Sequence, residues 1–583
     1  MFSVLGKLNW FFKEYWIRYS IAIILLVFVS AIDILPPKLI GAAIDGIQFE
    51  TLTREKLTEL IAWYLMILIV SYVVSYYWGF LLFGGAMILE RKKRSNLMQH
   101  FLAMTPTFFG KYRTGDLMAR STNDLKAISM TAGFGILTLV DSTFFMVMIV
   151  GVMIFTISWK LTLAALIPLP IMALMMNRYG KTIHERFTKA QDAFGDMNDN
   201  VLESVRGVRV IRAFVQERED EERFRNMTHD VYKKNVEVAK IDAMFEPTIK
   251  ILVGLSYTIG LGYGASLVFE NVITLGQLVS FNVYLGMLIW PMFAVGELIN
   301  VMQRGNASLD RVNDTLGYEA DVKDPEHPKH VPMPSIVHFD HVTFRYPDTD
   351  RDQLQDINLT VKRGSTIGVV GKTGSGKTTL FRQLLRDYSG MKGRLTVAGT
   401  PLEEISLEAS RGWIGYVPQD QILFSKTVRE NIQFGQDNAT DEEIERILEL
   451  AYLKKDIDNL PKGLDTKVGE SGVTLSGGQK QRVSLARALI MDPEILLLDD
   501  SMSAVDGKTE ANIIQHLKEE RKDKTTFIAA HRLSGLQHAD EIIVLEDGRI
   551  TERGTHEELM SEGGWYKDQF TKQQMNQEEV DDQ

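Results

Sequence analysis

The sequence contains no cysteine, which excludes disulfides and thiolate metal sites. It has no basic excess. Its 64 Lys and Arg face 75 Asp and Glu, for a net charge of −11. That argues against a nucleic-acid partner, because no basic stripe is present to track a phosphate backbone. Overall hydrophobicity is also low, with a mean hydropathy of −0.04. The average conceals two unlike halves, and 583 residues are enough for several domains.

Residues 17–301 hold six long apolar stretches, near 18–45, 58–88, 135–157, 160–178, 247–269 and 277–301. Each reaches the ~20 residues a helix needs to cross ~30 Å of hydrocarbon. The connections alternate. Those around 46–57, at Ser158-Trp-Lys160 and around 270–276 are short and carry only Arg54, Lys56 and Lys160. Those at about 89–134 and 179–246 are long, helical in period and basic, with Arg91-Lys-Lys-Arg94 at the start of the first. The positive-inside rule puts the N-terminus, both long loops and everything after residue 301 in the cytoplasm. Residues 1–16, with Trp10, Phe11, Phe12, Tyr15 and Trp16 beside Lys7 and Lys13, read as an interfacial helix. A signal peptide cut after Val29-Ser-Ala31 is the rival reading, but it would destroy the first span.

Polar residues inside spans mark candidate substrate or gate positions: Asp33, Asp141 and Glu297, with Asn282 and Asn300 less costly. Pro36-Pro37 should kink the first span. Phe144, Phe145, Met146, Met148, Met153, Met287, Trp290 and Met292 form a soft apolar set that can repack around varied ligands or simply face lipid. Residues 302–335, with Asp324-Pro-Glu-His-Pro328, read as a linker, and 573–583 as an acidic, disordered tail.

Residues 371–378 read Gly-Lys-Thr-Gly-Ser-Gly-Lys-Thr. This is a phosphate loop between a buried strand, Thr366–Val370, and a helix beginning near Thr379. Gly371, Gly374 and Gly376 let successive N–H groups face phosphate oxygens, with Lys372, Thr373 and Ser375 between them. Lys377 brings charge to the β/γ-phosphates, and the Thr378 hydroxyl is placed for Mg²⁺. Ile495–Leu498 reads as a strand delivering Asp499 toward the same Mg²⁺. Leu475-Ser-Gly-Gly-Gln479 offers the Ser476 hydroxyl and the N–H groups of Gly477 and Gly478 at a second helix N-terminus, with Gln479 beside them. One chain cannot easily put both nests on one triphosphate, so a partner chain is expected to supply the second.

Residues 336–583 resemble the nucleotide-binding domain of ABC transporters, and the membrane half resembles their exporter class. The resemblance implies an all-α, six-span transmembrane domain (1–301), the linker, an α/β P-loop ATPase domain (336–572) and the tail. It implies ATP and Mg²⁺, a second half-transporter, hydrophobic or amphipathic small-molecule substrates, membrane lipid around the spans, and the cell membrane as location. It also implies roles. Tyr346 stacks on adenine, Gln419 senses the γ-phosphate and Mg²⁺, and His531 is the switch histidine. Glu470 lies in the loop facing the coupling helices, expected near Thr107–Arg120 and Gly207–Arg218. Ser503-Ala-Val-Asp506 is the D-loop.

The family usually has Glu after the strand-end Asp, where it positions or deprotonates the attacking water. Here that residue is Asp500. Its carboxylate sits up to ~1.5 Å short, one C–C bond. Misplacement on that scale can cost ~10²-fold in rate. A weakened Asp500 beside an intact Leu475–Gln479 resembles one half of the heterodimeric bacterial multidrug exporters. In those pairs the partner carries Glu and a degenerate signature. A lipid or peptide exporter, or a regulatory ATP-binding subunit, are the other readings.

Overall fold

The computed structural model describes residues 3–469 and 475–581. The chain forms two compact units. One is Met1–Leu102 with Thr114–Gly317, the other Ala103–Arg113 with Tyr318–Gln583. A short segment lying between two membrane helices in sequence thus belongs to the second body.

The described part of the first unit is helical, without strands. Five helical runs are long and apolar enough to cross a membrane: Trp16–Gln48, Arg54–Ala103, Thr114–Leu166, Glu217–Phe269 and Leu275–Leu316. The sequence predicts six, and the difference lies at Ser158. Its backbone is extended (φ −163°, ψ 124°), and its side chain caps a new helix by accepting from the Leu161 N–H. The run Thr114–Leu166 is therefore one helix as far as Ser158 and the start of another at Trp159. Ile167, itself helical at φ −52° and ψ −44°, carries that second helix into Pro168–Ala213. The apolar stretch 160–178 is its opening part, and the break at Ser158 makes it a separate, sixth segment.

The first span breaks at Asp33–Ile34, just before Pro36-Pro37. The break is supported from the helix Leu275–Met287. Tyr284 donates its hydroxyl to the Ile34 carbonyl (2.7 Å), and Ser280 donates to the Pro37 carbonyl (2.8 Å). The helix Leu35–Gln48 then meets Leu275–Met287 at glycines. A Cβ on Gly276 would lie 2.0 Å from the Gly41 carbonyl oxygen, and one on Gly41 would lie 2.2 Å from Ser280 Oγ. Small residues let backbones approach this closely where lipid offers no hydrophobic drive between helices. Asp45 completes the joint by accepting from the Gly276 N–H (2.7 Å) and the Thr274 hydroxyl (2.7 Å). Negative charge is favourable at that helix N-terminus.

Other elements differ from expectation. The last membrane helix runs to Leu316, past the predicted limit at 301. No separate short helix occupies 207–218. Pro168–Ala213 and Glu217–Phe269 meet in a tight turn with Val215 at φ 55°. Near 107–120, a short helix Pro106–Lys111 precedes the helix starting at Thr114. The tail, predicted disordered, is helical in Trp565–Asp581. Glu470 lies outside the described residues.

Among the described residues the second unit has ten strands: β1 Ile336–Phe344, β2 Leu354–Lys362, β3 Thr366–Val370, β4 Lys392–Val397, β5 Thr400–Pro401, β6 Ile414–Val417, β7 Ile495–Asp499, β8 Thr525–Ala529, β9 Glu541–Glu546 and β10 Arg549–Gly554. β2-β1-β4-β5 form a small antiparallel sheet. The main sheet has the order β10-β9-β3-β8-β7-β6, parallel except for β10. Its central strands β3, β8 and β7 are buried on both faces and do not alternate, whereas the edge strand β10 alternates between exposed and half-buried residues. Along β7, Leu496 and Leu498 join one core with the helical side, while Ile495 and Leu497 join another with Phe381 and the small sheet.

Gly276→Leu should lower the melting temperature of the detergent-solubilised protein, at an overpacking cost of about 1–3 kcal/mol. Gly254→Leu, where an added Cβ meets nothing within 4 Å, is the control. Equal melting of the two variants would refute the close approach of the two helices.

Candidate nucleotide site

Four neighbouring parallel strands deliver the candidate residues to one edge. β3 leads into the phosphate loop, β8 into His531, β7 ends on Asp499, and β6 leads to Gln419. Asp499 pairs in register with Ala529 of β8, and Val369 of β3 pairs with the same residue. The carboxyl end of an open parallel sheet is where ligands bind. Here it forms a cleft of about 130 Å³ lined by Gln353, Thr373–Thr379, Gln419, Asp499, Asp500 and His531.

The loop adopts backbone conformations that glycine permits. Gly371, Gly374 and Gly376 have φ of 150°, 81° and 108°. A Cβ on Gly371 would strike the Leu545 carbonyl oxygen at 2.1 Å, and one on Gly376 the Gln353 carbonyl oxygen at 2.7 Å. A Cβ on Gly374 would meet nothing within 4 Å, so glycine there serves the positive φ and not a close approach. Lys377 begins the helix Lys377–Leu384, with its ammonium donating to the carbonyls of Gly371 (2.7 Å) and Lys372 (3.1 Å). The Ser375 hydroxyl is buried without a protein partner. An anion that takes the loop's N–H groups, the Ser375 hydroxyl and the Lys377 ammonium fits this cradle. Tyr346 is tied to its rim. Its hydroxyl pairs with that of Thr379 at 3.0 Å, and its ring stands edge-on to Phe344 and Tyr388.

Thr378 donates its hydroxyl to Asp499 Oδ1 (3.0 Å), and Tyr416 donates to Oδ2 (3.2 Å). Burial pushes the Asp499 carboxyl above the ordinary range, against the pull of these two hydroxyls. Among the described residues no three His, Cys, Asp or Glu side chains are arranged to hold a metal ion by themselves. That suits Mg²⁺, which is held by one or two protein oxygens with phosphate and water supplying the rest. Thr378 and Asp499 are such a pair, and Gln419 lines the same cleft. Asp500 sits at φ 46°, a region Asp tolerates better than most residues. Its carboxylate lies 4.0 Å from His531 Nε2. Burial raises the Asp500 carboxyl, with His531 and then Lys377 opposing. Burial also lowers the Lys377 ammonium, against the attraction of Asp500 and Asp499.

Ser476, Gly478 and Gln479 do not line this cleft. They open the helix Gly477–Leu489 in a capping box. Ser476 Oγ accepts from the Gln479 N–H (3.3 Å), and Gln479 Oε1 accepts from the Ser476 N–H (2.9 Å). The Gln479 amide also donates to Asp456 (2.9 Å), so its side chain is engaged inside the fold. The Ser476 hydroxyl proton and the glycine N–H groups remain as donors. A Cβ on Gly478 would meet the Ala504 carbonyl oxygen at 2.8 Å.

Sequence reasoning missed several supporting residues. Tyr416, a polar-tipped aromatic in the otherwise buried strand β6, gave a weak signal. Gln573 gave none. From the C-terminal helix it donates to the His531 carbonyl (2.8 Å) and accepts from the Leu533 N–H (2.9 Å), gripping the loop after β8 on both sides of Arg532. Arg532 in turn donates to the Val505 carbonyl (2.8 Å) and pairs with buried Glu510. In the membrane unit, Asp141 accepts from the Trp290 indole (2.8 Å), Asp33 accepts from Ser71 (2.8 Å), and Glu297 faces Arg304 at 3.6 Å. Asn282 turns its amide back onto the Leu278 carbonyl (2.9 Å).

Comparison with known proteins agrees with this architecture. The family described as ABC transporter transmembrane region matches residues 19–292, and that described as ABC transporter matches 354–503. YheI of Bacillus subtilis, named a probable multidrug resistance ABC transporter ATP-binding/permease protein, is 60% identical over 99% of this chain and 98% of its own. The multidrug resistance-like ATP-binding protein MdlA of Escherichia coli is 41% identical over 98% of this chain and 96% of its own. A solved bacterial Atm1-family ABC exporter with ATP bound aligns with a TM-score of 0.78 at 25% identity, covering 95% of this chain and 99% of that one. The chain therefore belongs to the ABC transporter family, as an exporter-type membrane domain joined to an ATP-binding domain whose ATPase activity is coupled to transport.

Proposed function

We propose that this chain is one half of a heterodimeric exporter of hydrophobic and amphipathic drugs, with its own hydrolytic site weakened at Asp500. The observation that carries the reading is the short Asp500 side chain beside a fully formed Ser476–Gln479 helix start. The relatives named for multidrug resistance support the substrate class. The soft Met and Phe side chains of the spans suit it, as does an indole-held carboxylate at Asp141. The basic long loops support a cytoplasmic ATPase domain in the cell membrane.

In this reading, ATP lies between this chain's phosphate loop and the partner's signature. Lys377 exchanges its two loop carbonyls for phosphate oxygens. Tyr346 stacks on the base, and Thr378 and Asp499, with Gln419 alongside, hold Mg²⁺. When bound, Mg²⁺ neutralises charge on the phosphates. Asp500 orients the attacking water from too far back, and His531 contacts the γ-phosphate. Ser476 and Gly478 serve the partner's nucleotide.

Lys377→Ala should weaken nucleotide photolabelling of this chain, by loss of the charge facing the phosphates, and Tyr346→Ala should weaken it by loss of stacking. Unchanged labelling in both would refute the site assignment.

Asp499 must be ionised to accept the cation. Because burial raises its carboxyl, protons compete at higher pH than at an ordinary Asp. Apparent Mg²⁺ affinity of the ATP complex should fall as pH falls through that raised value and level off above it. Asp499→Asn should bind weakly at every pH. A Mg²⁺ titration of a fluorescent nucleotide complex checks this, and an equal pH slope in the variant would sink it.

The heterodimer is tested by purifying the chain alone. The lone chain should show little Mg-ATPase, and in the complex Asp500→Asn should change turnover only modestly. Gln at the partner's catalytic Glu should nearly abolish it. Robust turnover of the lone chain, lost in Asp500→Asn, would make this chain a homodimer with Asp500 as its base. Stimulation by lipids and not by drugs would favour the lipid exporter.

A further inference from the structure

The helix that starts at Lys377 has a second end. Beyond Leu384 the chain turns through Arg386, at φ 51°, into Tyr388 and Ser389. The buried Arg386 guanidinium donates to the carbonyls of Ile405 (2.5 Å) and Lys323 (3.1 Å). Ser389 donates to Asp321 Oδ2 (3.3 Å). Tyr388 packs edge-on against Tyr346, with ring centres 5.0 Å apart. The back of the phosphate-loop helix therefore grips residues 321–323, in the stretch that sequence alone reads as a plain linker.

Asp321 faces the other way as well. Its carboxylate accepts from the Thr105 hydroxyl through Oδ1 and from the Thr107 hydroxyl through Oδ2 (3.0 Å). Thr105 is buried, and Phe108 has no exposed surface. Phe108 sits 5.2 Å, centre to centre, from Tyr318, and Lys111 lies 5.1 Å from the centre of the same ring. These contacts explain why Ala103–Arg113 belongs to the ATPase unit, although both of its ends continue into membrane helices. Burial would raise the Asp321 carboxyl, but the hydroxyls of Thr105 and Thr107, with the backbone N–H groups of Asp321 and Ser389, overcome that and hold it below the ordinary range. It is thus a charged acceptor, and hydrogen bonds to charged groups are the stronger kind.

We propose that Asp321 is a positioning residue for transport coupling, fastening the segment Ala103–Arg113 to the rear of the phosphate-loop helix so that the two move together when nucleotide binds. The linker is then a working joint as well as a tether. The joint lies within one chain, so it does not depend on which half hydrolyses ATP or on which substrate is carried.

The test is hydrogen exchange of the full-length complex, with and without Mg-ATP. In the wild type, amides of 103–113 should exchange slowly and respond to Mg-ATP. Asp321→Ala should speed their exchange by about tenfold or more, from loss of two charged-acceptor hydrogen bonds, and abolish the response. Photolabelling by nucleotide should stay within about twofold, because Asp321 does not line the cleft. Asp321→Asn, which keeps an acceptor, should recover part of the response. If Asp321→Ala does not fold, Thr107→Val removes one donor and should give a smaller acceleration in the same peptide. Unchanged exchange in 103–113, or an undiminished response to Mg-ATP in every variant that folds, overturns the proposal. Loss of nucleotide labelling in the wild type would instead count against the proposed site.

Discussion

The parallel register of β3, β8, β7 and β6 is the constraint on which the site depends. Side chains alternate between faces with a period of two, so a slip of one residue would exchange the two cores. Leu496 and Leu498 would then face the small sheet, and Ile495 and Leu497 the helical layer. The two faces hold different partners, which makes that exchange costly. The same register sets Asp499 opposite Ala529 and brings the ends of β3, β8 and β7 level. Core packing and placement of the motif residues are therefore one requirement.

The site concentrates charge that the fold itself does not favour. Burial raises Asp499 and Asp500 and lowers Lys377, so each prefers its neutral form more than it would in water. The attraction between Lys377 and the two carboxylates opposes this at Lys377 and Asp500, and the hydroxyls of Thr378 and Tyr416 oppose it at Asp499, where the neighbouring Asp500 charge adds to the effect of burial. A polyanion arriving with a divalent cation supplies a partner for each of the three. Such arrangements are typical of functional sites, where perturbed groups cluster in a cleft.

Much of this was legible in sequence, for a physical reason. Gly371–Thr378, Leu475–Gln479 and Ile495–Asp500 are contiguous, and each encodes its own local geometry: glycine at positive φ, a capped helix start, a strand that ends on a carboxylate. What sequence did not show are contacts between residues far apart along the chain. Gln573 reaches His531 from a helix in what reads as an acidic tail. Asp321 joins Thr105 and Ser389 from what reads as a spacer. Asp45 caps a helix 231 residues further on. None is marked by composition or periodicity, because a lone polar side chain looks alike whether it faces water or holds a distant backbone. The break at Ser158 was legible, because it falls in the short interval Ser158-Trp-Lys160 between two apolar stretches; what the structure adds is that the Ser158 side chain caps the second helix.

In the proposed heterodimer, the same geometry would let one chain combine a short Asp500 side chain with an intact Ser476–Gln479 helix start. The signature helix is joined to the end of β7 through the D-loop. Gln481 donates to Ser503 Oγ (3.1 Å) and accepts from the Ala504 N–H (2.9 Å), and the Ala504 carbonyl lies where any side chain on Gly478 would sit. Ser503 then donates to the backbone carbonyl of Asp500 (3.1 Å), whose N–H is held by the Ala529 carbonyl (2.9 Å). Every link in this path meets Asp500 at its main chain. A change of side chain there, Glu for Asp or the reverse, leaves the path untouched. The distance between carboxylate and water can therefore drift without disturbing the surface offered to the partner. The converse does not hold: Gly478 has no room for a Cβ, so the signature is fixed sterically while the base is not. An asymmetric pair would then arise most easily by loss of reach at Asp500 in one chain, with its own Ser476–Gly478 surface still required by the other.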